Sequence, residues 1–372
     1  MRTYCTLFTV ALMGASLWAC DKDKGAAPGG GAATTTANAA PTASAKPKPV
    51  TVDTAQLNAF GALVDKMEGP GNTVTPEKVE LGKMLYFDAR LSKNHDVSCN
   101  SCHDLEKYGV DGKKVSEGHK KQTGTRNSPT VYNAAGHFAQ FWDGRAATVE
   151  EQATKPITNP VEMAMPDEKH VVATLKSIPQ YEAAFKKAFP EDKAAPISLV
   201  NVGKAIGAFE RTLVTPSRWD KFIGGDQAAL TDEEKAGFNK FIEVGCQTCH
   251  QGRYVGGTMY QKLGLAKPWP GEVKDQGRFE VTKQDVDKLM FKVPSLRNVE
   301  KTGPYMHDGS IDSLEEITKM MAKYQLGKDI SDADVKVLVA FMKSMTGELP
   351  KDAIKKPELP PSTPKTPKPD PS

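Results

Sequence analysis

Residues 99–103 read Cys-Asn-Ser-Cys-His, and residues 246–250 read Cys-Gln-Thr-Cys-His. A Cys-x-x-Cys-His run suits covalent haem attachment. Its two thiols are spaced to add to the two vinyl groups, and the adjacent histidine then faces the iron. Cys99, Cys102 and His103 would hold one haem, and Cys246, Cys249 and His250 the other. Zinc or a dithiol redox pair is the competing meaning of a single Cys-x-x-Cys. Neither needs the trailing histidine, and zinc would want further ligands nearby. The two other cysteines, Cys5 and Cys20, lie near the N-terminus, so none is left for a disulfide. Two haems c are expected to staple the fold in its place.

Outward from these runs the chain repeats itself. Ahead of the first lie Thr75-Pro76-Glu77, Leu81-Gly82 and Leu85-Tyr86-Phe87; ahead of the second lie Thr231-Asp232-Glu233-Glu234, Gly237-Phe238 and Phe241. Each series opens on a helix start. Thr75 precedes a proline at the first helical position, and Thr231 with Glu234 makes a capping box. Between the halves, Leu199, Val202, Ile206, Phe209 and Leu213 fall on one helical face. Stretches 109–127 and 251–303 lack helical periodicity and read as loops wrapped over cofactors. The expected fold is mainly α: two cytochrome c-like domains with long loops, residues 53–216 and 217–349, each with one haem c. Only 7% of residues are aromatic, while Gly (31) and Pro (26) are abundant, which suits helices joined by loops better than a sheet protein.

The ends differ from the middle. Residues 1–20 carry Arg2, an apolar run from Leu7 to Leu17, and Leu17-Trp18-Ala19-Cys20. The run is too short to span a bilayer and reads as an export signal closing on a lipobox. This predicts a periplasmic protein anchored by a lipid on Cys20, the alternative being ordinary signal cleavage near Ala19 with Cys20 unmodified. Residues 21–52, rich in Ala, Gly, Pro and Thr, read as a flexible linker, and residues 350–372, rich in Pro and Lys, as a disordered tail. A formal net charge of only +3 gives no field suited to nucleic acid.

Each iron needs a sixth neighbour or an open place. His119 lies in the Gly/Lys-rich stretch Glu117–Asn127, where a loop histidine could come on and off iron. In the second half Met306, Met320 and Met321 are all candidate thioether ligands, and spacing does not choose among them. A His/Met iron has a raised potential and suits electron storage.

Further runs give a family resemblance. Phe141-Trp142-Asp143-Gly144-Arg145-Ala146, Glu151-Gln152-Ala153 and Pro156-Ile157-x-Asn159-Pro160-x-Glu162-Met163 lie in the first half. Val293-Pro294-Ser295-Leu296-Arg297-Asn298, Gly303-Pro304-Tyr305-Met306-His307-Asp308-Gly309 and Met321-x-x-Tyr324-Gln325-Leu326-Gly327 lie in the second. In this order they resemble the bacterial di-haem cytochrome c peroxidases, a family that includes MauG-type enzymes, over about residues 55–348. The resemblance implies that the first haem meets hydrogen peroxide, with His119 as removable ligand and Gln152 and Glu162 in its distal pocket. It implies that the second haem stores an electron with Met321 as ligand, and that Trp142 lies between the two. It further implies calcium held by Asn127 and the carbonyls of Thr302 and Pro304, a homodimer, and a small c-type cytochrome or cupredoxin as electron donor. Met306 stands where the family has Phe. MauG-type enzymes carry tyrosine where this chain has Met321, which weighs against the alternative of a protein-modifying oxidase. A non-enzymatic di-haem electron carrier is the third possibility, and it would leave Glu162 without a use.

Overall fold

The computed structural model describes residues 49–372. The export signal, Cys20 and the linker up to residue 48 lie outside the described residues. The helices are α1 (Pro76–Phe87), α2 (Cys99–Cys102), α3 (Val149–Thr158), α4 (Glu168–Lys176), α5 (Pro179–Ala188), α6 (Leu199–Glu210), α7 (Arg218–Ile223), α8 (Asp232–Val244), α9 (Phe279–Thr282), α10 (Leu314–Met320), α11 (Asp332–Ser344) and α12 (Lys351–Ile354). One two-stranded antiparallel sheet, β1 (Tyr260–Lys262) against β2 (Met290–Lys292), pairs Tyr260 with Lys292. The chain is mainly helical, as expected. The helix starts hold as well. Thr75 Oγ1 accepts from Lys78 N at 3.3 Å. The Thr231–Glu234 box closes with bonds of 2.8 and 3.2 Å.

The repeat has a packing reason. α1 lies against α6, and α8 lies against α11. At each crossing a glycine lets the backbones meet: a methyl group on Gly82 would overlap the Ala205 carbonyl, and one on Gly237 the Val337 carbonyl. Around the first crossing a core gathers Leu81, Leu85, Tyr86, Val202, Ile206 and Phe209. Around the second, Trp219, Phe238, Phe341 and Met345 form another. The α6 face anticipated from its spacing faces the first of these cores.

Both ends of the described chain cross over, against the sequence expectation. Val52, Leu57 and Phe60, placed with the linker or the first half, pack on the second core. Phe60 stands edge-on to Trp219 at 5.6 Å. The stretch 350–372, expected to be disordered, runs along the first half. Ala353 and Ile354 join the first core. Thr363 Oγ1 donates to the Ser177 carbonyl at 2.8 Å. Arg90 donates to Ser362 at 3.1 Å, and Asp370 pairs with Lys93 at 3.4 Å. Proline-rich chain needs no helix or sheet to be held: it is already extended, so side-chain bonds to a preformed surface suffice.

A second repeat lies between the halves. Pro129 and Pro294 are each followed four residues later by an asparagine in the left-handed region, Asn133 and Asn298, both at φ 60°. The two side-chain amides donate to the same Thr215 Oγ1, each at 2.8 Å.

Candidate active site

The first Cys-x-x-Cys-His run forms one turn, α2, whose cap Ser98 accepts from and is answered by Ser101. The second follows Gly245, which ends α8 at φ 95°. A left-handed stop of this kind favours glycine. All four cysteines are free thiols. Burial pushes Cys99 and Cys246 each up to about 12, the opposite of the low-pKa setting of a dithiol redox pair. Among the described residues no cluster of three or more His, Cys, Asp or Glu side chains could hold a metal ion, so a zinc reading has no support there.

Both runs open on one cavity. Cys99, Cys102 and His103, and Cys246, Cys249 and His250, line it together with Val97, Val149, Phe241, Val244, Leu296 and Leu338. Both imidazoles are half-buried, with Nδ1 of each enclosed. The carbonyls of Gly109 and Pro129 stand beside His103, and those of Pro294 and Val255 beside His250, yet neither Nδ1 has a well-aligned hydrogen bond. The chemistry of the donor set, two thiols and an adjacent imidazole in each run, together with the apolar walls, fits two haems c.

The same cavity collects most of the anticipated side chains: Trp142, Gln152, Glu162, Asn127, Thr302, Pro304 and Met321. α3 presents Gln152, with Thr148 accepting from Glu151 N at 3.2 Å to start the helix. Burial raises the Glu162 carboxyl above the usual glutamate range, and Arg145 opposes the shift. Trp142 Nε1 donates to the Asn127 carbonyl at 3.0 Å. Asn127 Nδ2 donates to Lys113 O at 3.0 Å, leaving its Oδ1 as an acceptor. His307, also at the wall, stacks on Phe291 at 4.3 Å.

His119 is not brought into this cavity. Its ring is buried, with Nε2 3.2 Å from the Ser372 carbonyl oxygen. Its backbone N donates to Glu162 O at 2.7 Å, and Lys120 and Lys121 beside it are exposed at φ 56° and 59°. Of the candidate methionines, Met306 and Met321 line the cavity and Met320 packs against the second core. Met321 opens a π-helical turn, Met321–Gln325, a form frequent at functional sites.

Sequence reasoning missed three cavity residues. None of His137, Glu210 and Lys292 lies in a run quoted above. Buried Glu210 sits at the end of α6, Lys292 at the end of β2. A charge closing an otherwise apolar run, as in Ala-Phe-Glu210 and Met-Phe-Lys292-Val, was the available signal. The paired Pro-x-x-x-Asn runs were another.

Residues 76–228 match a family described as di-haem cytochrome c peroxidase. The chain is 47% identical to the cytochrome c551 peroxidase of Nitrosomonas europaea, covering 80% of this chain and 89% of that protein. It is 45% identical to the cytochrome c551 peroxidase of Pseudomonas aeruginosa, covering 80% and 86%. Among solved structures it is similar to a MauG-like protein associated with microbial copper homeostasis, at 28% identity and a TM-score of 0.69, covering 79% of this chain and 95% of that one. Among the described residues no helix is long and apolar enough to cross a membrane.

Proposed function

This chain belongs to the di-haem cytochrome c peroxidase family, and on that premise we propose that it reduces hydrogen peroxide to water with electrons from a small redox protein. The overall change takes one peroxide, two electrons and two protons to two waters. The carrying observation is the single cavity that both Cys-Cys-His sets share with Gln152, Glu162 and Trp142.

Cys99, Cys102 and His103 would hold the peroxide-reacting haem, and Cys246, Cys249, His250 and Met321 the electron-storing one. When bound, the irons supply the site of O–O cleavage and a store for one electron. The protein supplies the proton traffic. A carboxyl raised by burial, as Glu162 is, holds its proton to higher pH than a surface glutamate and suits acid–base work. It would take the proton from one peroxide oxygen and return it to the other, so that water leaves. Gln152 would orient the peroxide by its amide. Trp142, its indole N–H tied to Asn127, would bridge the two haems without moving. His119 would be the removable ligand of the first iron, and its ring would have to leave Ser372 to act as one. Asn127 Oδ1 and the carbonyls of Thr302 and Pro304 would supply an oxygen-only set for calcium. Two cytochrome c-like units joined near Pro216, a periplasmic setting, a lipid on Cys20 and a homodimer complete the proposal. Cys20 lies outside the described residues.

Methionine at 321 favours electron storage over a MauG-like oxidase. The test is peroxide consumption by the holoenzyme with a reduced c-type cytochrome, in fully oxidised and half-reduced enzyme. Turnover that needs half-reduction supports a peroxidase gated by His119. Turnover in both states keeps the peroxidase and removes the gate. Two intact haems without turnover in either state would reject the proposal.

A further inference from the structure

Lys292 is a buried cation with no acid partner among the described residues. It is 7% exposed, its backbone N donates to the Trp142 carbonyl at 2.8 Å, and its ammonium donates to His137 Nδ1 at 3.3 Å. That bond spends one of the three ammonium protons and puts the neutral imidazole's proton on Nε2, which is itself buried without a partner. His137 is held firmly. Its ring lies on Gly257, where a Cβ would collide with Cδ2, and Tyr254 stands edge-on at 5.8 Å. Both side chains line the cavity. Burial alone lowers the ammonium to about 8, with no anion opposing the shift.

An ammonium taken out of water without a counter-charge is strongly disfavoured. The structure therefore calls for an anion brought in by whatever fills the cavity. Haem c brings two carboxylates, its propionates, and no other acid. The position selects the haem. Lys292 stands two residues before Pro294, whose carbonyl faces His250, while Tyr254 and Gly257 belong to the loop that follows His250. Resting on the di-haem reading, we propose that Lys292, positioned by His137, binds a propionate of the haem carried by Cys246 and Cys249. A cation on that carboxylate offsets negative charge near the iron and raises the potential of the haem.

The test is a spectroelectrochemical titration of wild-type, K292M, K292R and H137F holoenzymes, each first assayed for haem content. We expect the second haem's midpoint potential to fall in K292M with the first haem's unchanged, to stay near wild type in K292R, and to fall less in H137F. Unshifted potentials in a K292M enzyme that carries both haems would overturn the proposal. If K292M does not load its second haem, resonance Raman on the wild type decides: a propionate bending mode that moves in D2O supports the contact, and one that does not refutes it. A wild-type chain with fewer than two haems would instead refute the di-haem reading itself.

Discussion

At the residue scale, two glutamates on the cavity wall, Glu162 half-buried and Glu210 buried, divide the chemistry from the stability. Glu162 has a raised carboxyl and faces the cavity. In E162Q the amide cannot exchange a proton, and peroxide turnover should fall about 10²-fold or more with both haems retained. Full turnover would remove the acid–base role. Because the carboxylate must be free to accept a proton, the acid limb of the pH–rate profile should lie above the pKa of an ordinary glutamate and vanish in E162Q. Glu210 affects folding. Burial, then the neighbouring charge of Glu150, pushes its carboxyl up to about 8, against 4.5 for the free group. A raised folded pKa means that stability is intact below about 4.5 and is lost as pH rises through about 8. E210Q should therefore melt higher than the parent at pH 9 and almost identically at pH 4. A gap of the same size at both values would show that the charge is irrelevant. The sequence offered the role of Glu162 and not that of Glu210. Glu162 came from a motif, and burial of Glu210 depends on which elements cover it.

At the element scale, the repeat of helix and haem run was legible because capping and spacing are local. Thr75-Pro76 and Thr231 with Glu234 start α1 and α8 where their side chains dictate. The glycines in the repeat were legible only as a pattern, and the structure supplies their meaning. Gly82 and Gly237 sit where α6 and α11 come closest. G82A and G237A should each lower stability by about 1–3 kcal/mol, the usual penalty of overfilling a packed interior, as seen in thermal melts of the holoenzyme. A variant that melts like wild type would mean that the helices separate at little cost. The π-helical turn at Met321 was not legible. An extra residue within a turn carries no period of its own, and α10 and the turn read together as one helix.

At the scale of the whole molecule, the halves are joined by more than the chain between them. Arg126 of the first half pairs with Asp143 and, at 2.6 Å, with Asp275 of the second. Thr215 takes a hydrogen bond from each half. T215V should leave the Nδ2 groups of Asn133 and Asn298 without their acceptor and cost about 1–3 kcal/mol for each. A melt unchanged from wild type would show that water replaces the hydroxyl. The end of the chain is a strap on the opposite half. Removing residues 355–372 should speed hydrogen exchange around Lys93, Ser177 and the His119 loop, and exchange that stays at wild-type rates would mean that the strap bears no load. The sequence by itself determined the haem runs, the helices that precede them, the mainly helical class and, through its motifs, the family, because each of these is written in residues close together along the chain. Only the tertiary structure decided that both haem runs face one cavity, that Lys292 is buried there beside His137, that His119 turns toward Ser372, and that each end packs on the far half. These depend on contacts between residues distant in sequence, where burial and the absence of a counter-charge are properties of the packed molecule and not of any local run.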